Sequence, residues 1–220
     1  MDHTTDTTGK RLTDYPRPSV AVDTAVLTVV ADALHVVVVD DTRDGTRRLP
    51  GTFLHEGEVL ADSVRRSLAQ KAGVRDLDPI QLHVFDAIDR DDRGRVLSVA
   101  HLAAVPATAL GDAQTVAVER VGPLAYDHEQ ILALAVARLR EDYAAAPDPW
   151  RLLGRDTFTL RDLERLHRAV DPDGTPLRDT FRRAMEPQLT PTGELERGTV
   201  GKPARLFTRT THTSTQLRRR

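Results

Sequence analysis

The chain has 220 residues, 40% hydrophobic and only 4% aromatic, enough for one large domain or two modest ones. It contains no cysteine, which excludes disulfides, thiolate zinc sites and cysteine nucleophiles. No apolar run approaches the roughly 18 residues that span a membrane, and the start, MDHTTDTTGKRLTDYPRP, lacks the apolar centre of a secretory signal, so a soluble cytoplasmic protein is expected.

The net charge of -2 hides a division. Residues 151–220 hold 15 Lys+Arg against 9 Asp+Glu, a balance of +6, which leaves 16 against 24, or -8, for residues 1–150. Such asymmetry points the C-terminal part toward a polyanion. The tail Arg218 to Arg220 supplies half of that excess, and a solvated tail is the plainer alternative.

In chain order, residues 1–17 read as a flexible arm rich in Thr and Asp. Val20 to Val30 and Leu34 to Val39 are β-branched runs that predict two strands. A charged loop, Thr42 to Arg48, leads to the turn Pro50-Gly51 and a second turn at Glu56-Gly57-Glu58. Val59, Leu60, Val64, Leu68 and Ala72 then recur at helical spacing, with Gly73 where a left-handed helix end favours glycine. Strands are expected at Gln81 to Ile88, Val96 to Val105 and Val116 to Val121. Asp127 is the predicted N-cap of a helix, with Gln130 as its reciprocal partner and an inner stripe of Ile131, Leu134, Ala135, Val136 and Leu139.

Ala144 to Pro149 marks a boundary, so residues 18–146 are expected as one domain and 147–209 as a second, with a basic tail at 210–220. Thr159 is placed to cap a helix whose inner face is Leu160, Leu163, Leu166 and Val170. A second helix is expected from Thr175-Pro176, with the proline at the first helical position and Leu177, Phe181, Ala184 and Met185 inward. Asp179, Arg182 and Arg183 then point away, flanked by Arg178 and Thr180. A hairpin follows through Leu189-Thr190 and Ala204 to Phe207.

Helix, turn, helix and hairpin outline a winged helix. On that reading Arg178, Thr180, Arg182 and Arg183 reach DNA from the second helix, while Arg197, Lys202 and Arg205 lie along the backbone as a wing. A protein-docking module would share this outline. Gly198 to Pro203 falls short of a P-loop, being too closely spaced and ending in proline, and is read as the wing turn. The histidines show no metal-ligand spacing, and His128 is read as packing or orienting the helix that it opens.

The stretch from Thr52 to Val74 resembles the Nudix box, the loop-helix motif of Nudix hydrolases. Glu58, Arg66, Leu68, Gly73 and Val74 match its pattern, Thr52 stands for the first glycine, and Ser67, Gln70 and Lys71 stand where three glutamates belong. In active members those carboxylates hold Mg2+ against a pyrophosphate, a role for hard anionic oxygens that a hydroxyl, an amide and an ammonium do not fill. The resemblance therefore implies a nucleotide reader that has no catalytic residues and no metal.

Three further segments are similar to the Nudix-related transcriptional regulators of NAD metabolism, the NrtR family: Arg93 to Leu102, Leu124 to Leu132, and the winged-helix stretch from Phe158 to Phe207. The chain departs from the family pattern at Thr180, where Asn is usual, and at Arg47-Arg48, where an aromatic residue is common before the Leu-Pro-Gly turn. The resemblance implies an α/β (α+β) protein, with an N-terminal mixed-sheet Nudix-like domain and a C-terminal winged helix-turn-helix. It implies a homodimeric repressor that binds double-stranded operator DNA near NAD biosynthesis or salvage genes. Its effector would be ADP-ribose or a related NAD-derived nucleotide, with no cofactor. Arg48, Arg90 and Arg93 are candidates for the pyrophosphate, Asp89 for a ribose hydroxyl, and Phe53 either stacks on the base or joins the core. The competing reading is an ADP-ribose pyrophosphatase with an atypical metal site near Glu56, Glu58 and Asp62.

Overall fold

The computed structural model describes residues 5–40, 45–196 and 203–210. Chain order begins with β1 (Ser19–Val30), β2 (Ala33–Val37), β3 (Val39–Asp40), β4 (Arg47–Arg48) and β5 (Gly51–Phe53). Helix α1 (Leu60–Ser67) follows, continued by a wider π turn over Leu68–Ala72. Then come β6 (Ile80–Phe85), β7 (Val96–Ala104), β8 (Thr115–Ala117) and the long helix α2 (His128–Ala145). The C-terminal part contains β9 (Phe158–Thr159), α3 (Leu160–Val170), α4 (Arg178–Met185), β10 (Leu189–Leu195) and β11 (Arg205–Arg209).

The main sheet is mixed, in the order β6-β7-β1-β2-β8, with β5 also pairing β1. β1 runs parallel to β7 from Ser19 opposite Val96 to Leu27 opposite Ala104, and antiparallel to β2 and β5. Because strand side chains alternate faces, Val22 and Val26 of β1 pack with Val64 and Leu68 of the α1 segment. Ala25 and Leu27 pack on the other face with Ile131, Ala135 and Leu139 of α2. Asp23 shares the parity of Ala25 and Leu27, which turns its carboxylate toward the start of α2. The sheet is thus covered on both faces.

A separate small core of Phe158, Leu163, Phe181, Met185, Leu189 and Phe207 holds the C-terminal part, whose sheet runs β10-β11-β9. This is the winged-helix arrangement of two helices and a hairpin. Thr159 accepts a hydrogen bond from the Asp162 N–H at 3.1 Å while Asp162 accepts from the Thr159 N–H at 2.9 Å, a capping box that starts α3. α3 joins the two parts, since Leu166 and Val170 belong to the α2 side of the large core.

The join is built around Asp148, which is fully buried. Its carboxylate accepts from the Tyr143 hydroxyl at 2.6 Å, the Leu152 N–H at 2.7 Å and the Leu153 N–H at 3.2 Å, and pairs with Arg209 of β11. A bidentate pair at 2.5 Å links Arg165 of α3 to Asp32 in the β1–β2 turn.

Residues 5–15 form an exposed hydrogen-bonded loop around Asp6, which takes bonds from Thr8, Lys10 and Tyr15. Several local expectations are corrected. The expected strand at Val116 to Val121 ends at Ala117 and becomes a 3-10 turn. Leu134, placed on the inner stripe of α2, is 38% exposed. α4 begins at Arg178, so Pro176 precedes the helix, Leu177 is 83% exposed and Ala184 also faces out. Starting α4 later leaves Phe181 and Met185, one turn apart, to anchor it.

Candidate functional site

The first half of β1, strand β5, the loop before β7 and the start of α2 enclose a cavity of about 240 Å3. Asp23 lies at its base. Ser98 donates to Asp23 Oδ2 at 2.5 Å, His128 Nε2 lies 3.3 Å from Oδ1, and Arg90 Nη2 is 3.7 Å from Oδ2. Burial works to raise the pKa of this carboxyl, but the hydrogen bonds from His128 and Ser98 and the adjacent positive charge prevail and hold it below the ordinary value. The Leu49 N–H donates to His128 Nδ1 at 2.9 Å, so the ring proton resides on Nε2 and points at Asp23. His128 therefore does orient the start of α2.

Gly51 is required where β5 crosses Asp23: a Cβ there would stand 1.8 Å from Asp23 Oδ1. This is a close approach that any side chain would break, by moving the strand or by driving Asp23 off its partners.

Of the residues expected to bind ligand, Arg48, Phe53, Arg90 and Arg93 line this cavity. Asp89 does not; it is exposed on the turn outside. Phe53, at 37% exposed, is not a core residue. Arg90 reaches the cavity, but its side chain is only 4% exposed and its fork is occupied by Asp127, at 2.8 and 2.6 Å. That pair also corrects the predicted capping box: the Asp127 side chain makes no cap bond, because a buried guanidinium demands the carboxylate more strongly than a neutral backbone N–H. Arg93 is gripped by Asp91 through Nε at 2.9 Å and Nη2 at 2.7 Å, which raises the guanidinium pKa. Its Cζ lies 5.4 Å from the Phe53 ring centre and 5.6 Å from that of Tyr126.

Sequence reasoning missed Asp23, Lys71, Asp91 and Tyr126, all of which line the cavity. Asp23 had a signal, a lone carboxylate inside an apolar strand. The others depend on turns whose path no periodicity reveals.

The box loop is held by Glu58 and Arg66. Arg66 donates to both Glu58 oxygens, at 2.7 and 2.8 Å, to Thr52 Oγ1 at 3.1 Å and to the Phe53 carbonyl at 2.9 Å. These bonds, Arg66 first and then Ser63, keep the Glu58 carboxyl well below the usual range. Of the three positions that hold metal in active Nudix members, Ser67 is buried, Gln70 is exposed, and Lys71 turns its ammonium to the Gly51 carbonyl beside the cavity. The nearby carboxylates do not compensate: Glu58 is engaged as described, and Asp62 binds Arg65 at 2.6 Å and the Val59 N–H at 3.2 Å. Among the described residues no group of three His, Cys, Asp or Glu is placed to hold an ion. This donor set does not fit Mg2+.

On the C-terminal part, Arg178, Thr180, Arg182, Arg183 and Arg205 are all exposed. Arg182 pairs with Glu186 at 2.6 Å. Arg197, Lys202 and the rest of the wing turn lie outside the described residues, as does the tail from 211. No described helix is long and apolar enough to cross a membrane.

No family model matches the chain. It is 30% identical over 124 residues to the ADP-ribose pyrophosphatase of Methanocaldococcus jannaschii, covering 54% of this chain and 73% of that protein. It is 24% identical over 208 residues to the ADPR responsive transcriptional repressor NtrR of Acinetobacter baylyi, covering 88% and 83%. Among solved structures, Shewanella oneidensis NrtR complexed with a 27mer DNA superposes with a TM-score of 0.71 at 28% identity, over 87% of this chain and 93% of that one. The NUDIX domain of the same protein complexed with ADP ribose gives 0.53 at 27%, over 60% and 95%. With the mixed sheet, the box loop and the appended winged helix following one another in the same order, the chain has the Nudix fold and is similar over most of its length to the NrtR regulators.

Proposed function

We propose that this protein is a DNA-binding repressor of NAD biosynthesis or salvage genes whose Nudix domain, residues 18–146, reads ADP-ribose or a related NAD-derived nucleotide without cleaving it. One observation carries the reading. The cavity holds basic and aromatic side chains suited to a nucleotide, while an ammonium, Lys71, stands at a box position where hydrolysis needs a metal-binding carboxylate. The similar regulators support the rest: one is named as ADPR responsive, one is complexed with DNA, and a NUDIX domain is complexed with ADP ribose.

In this reading the winged helix, residues 147–209, meets operator DNA through Arg178, Thr180, Arg182 and Arg183 on α4 and Arg197, Lys202 and Arg205 on the wing. A homodimer sets two such helices about one DNA turn, roughly 34–36 Å, apart. A nucleotide that binds the two domain arrangements unequally shifts that spacing. Pyrophosphate contact falls to the cationic side chains that line the cavity, Arg48 and Lys71 at its mouth among them.

A gel-shift titration on DNA upstream of NAD biosynthesis genes, with and without ADP-ribose, tests this reading. A nucleotide-dependent change in a sequence-specific complex is expected, and no specific complex would overturn it. The second reading, an ADP-ribose pyrophosphatase, draws on the Methanocaldococcus relative. Turnover of ADP-ribose with Mg2+ or Mn2+ at ordinary enzyme rates would establish it instead.

A further inference from the structure

Leu177 is the most exposed large apolar side chain among the described residues, at 83%. Four residues before Phe181, it belongs on the inner face of α4 by helical periodicity. The backbone places it outside. Its φ of -59° and ψ of 152° are extended, and Leu177 is the N-cap whose carbonyl accepts the Phe181 N–H at 2.9 Å. The turn behind it is held in place. The Gly174 and Thr175 N–H groups both donate to Asp171 at 3.1 Å, and the Thr175 hydroxyl donates to the Asp171 carbonyl at 2.7 Å. Arg168 reaches the Pro176 carbonyl at 3.5 Å. The leucine side chain therefore projects bare, at a fixed position, from the leading end of α4.

The groups around it indicate what covers it. Arg178, Arg182 and Arg183 are exposed on the same helix and supply the charge that draws a polyanion. Phosphate offers an aliphatic side chain no partner, and it repels Asp179, which stands exposed two residues after Leu177. The first turn of α4 therefore suits base edges, with Arg182 and Arg183 of the next turn left for phosphates. On the edges that line the major groove the apolar group is the 5-methyl of thymine, and the cytosine amino group donates to carboxylates. We propose that Leu177 is a base-reading residue of the DNA-binding surface, packing its side chain on the methyl group of a thymine in the major groove. The assignment rests on the DNA-binding reading given above, and it adds a contact made by apolar surface instead of charge.

The duplex that the wild-type full chain selects from a random-sequence pool is the probe. Each thymine of one half-site is replaced in turn by deoxyuridine, which removes the methyl group and keeps the hydrogen-bonding edge. Wild type is expected to lose about 4-fold in affinity at one thymine, the effect of exposing one methyl group. Leu177→Ala, with an unchanged melting temperature at this exposed site, should bind the unmodified duplex about 10-fold more weakly and show no penalty at that thymine. Its slope of log affinity against log salt should match wild type, because no phosphate contact is removed. Leu177→Met should restore both the affinity and the thymine effect. Wild-type affinity in Leu177→Ala, an unaltered thymine profile in that variant, or no thymine to which wild type responds would overturn the assignment and leave the leucine to a protein partner. Failure of wild type to select any duplex would instead overturn the DNA-binding reading, and this assignment with it.

Discussion

Asp23 Oδ1 and His128 Nε2 lie 3.3 Å apart, which ties the buried middle of β1 to the first residue of α2 across 105 positions of sequence. The Leu49 N–H fixes the imidazole tautomer that makes this contact. Removing the carboxylate leaves His128 and Ser98 without their partner and Arg90 with Asp127 alone. Asp23→Ala is therefore expected to cost about 3 kcal/mol, the low end for breaking a buried charge network, because Asp127 still holds Arg90. Urea denaturation measures this, and a loss under about 1 kcal/mol would show that the network contributes little.

Gly51→Ala tests the same place from the other side. The added methyl collides with Asp23 Oδ1 at 1.8 Å and approaches the Val22 carbonyl at 3.0 Å, so β5 must shift or Asp23 must leave its partners. A destabilisation of about 1–3 kcal/mol is expected, as for other overpacked sites. Nucleotide affinity should fall with it, since Gly51, Thr52 and Phe53 wall the cavity. A variant with unchanged melting temperature and unchanged titration would show that β5 yields to the methyl at no cost.

The strands and helices were legible because their periodicity is strong: Val22 and Val26 against Ala25 and Leu27 on β1, or Leu163, Leu166 and Val170 on α3. The winged helix was legible from Thr159 with Asp162 and from Phe181 with Met185. Half of the cavity was not. Tyr126 enters it through a left-handed backbone that propensity does not foresee, and Lys71 is placed by a π turn that rotates the end of the box helix out of α register. Asp127 carries an ideal capping signature, yet its carboxylate goes to Arg90, 37 residues away. A local rule lost there to a buried charge that only the tertiary fold brings near. Asp148 reads as part of a linker, but its burial and its bonds to Tyr143, Leu152, Leu153 and Arg209 make it the joint between the two parts.

The proposed DNA surface makes a graded prediction. Arg182 is already paired with Glu186, whereas Arg183 makes no ion pair among the described residues. Arg183→Ala should thus weaken operator binding more than Arg182→Ala. The double variant should flatten the dependence of log affinity on log salt by up to about 2, near 0.9 for each phosphate that is no longer neutralised. ADP-ribose titration should be unaltered. Unchanged DNA affinity in the double variant would place the DNA on another surface of the protein.

At the joint, His167 is packed between Tyr143 and Phe181, with ring centres 4.9 and 5.0 Å away, and its Nε2 accepts from the Asp148 N–H at 3.4 Å. Burial pushes its pKa down to about 4 from the ordinary 6.5. The folded state therefore keeps this ring neutral where the unfolded chain protonates it, and between those values the unfolded state binds more protons. Stability from this group is fully present above pH 6.5 and is lost as the pH falls toward 4, by on the order of 3 kcal/mol across the window. His167→Gln cannot titrate. The stability advantage of wild type over this variant should shrink steadily from about pH 7 to about pH 4.5 in urea unfolding. Carboxylates whose pKa is lowered, Asp23 among them, remain ionised in the folded state through this range and act on both proteins alike. A constant difference between the two across that window would mean that His167 is protonated in place, with the Asp148 N–H turned to another acceptor.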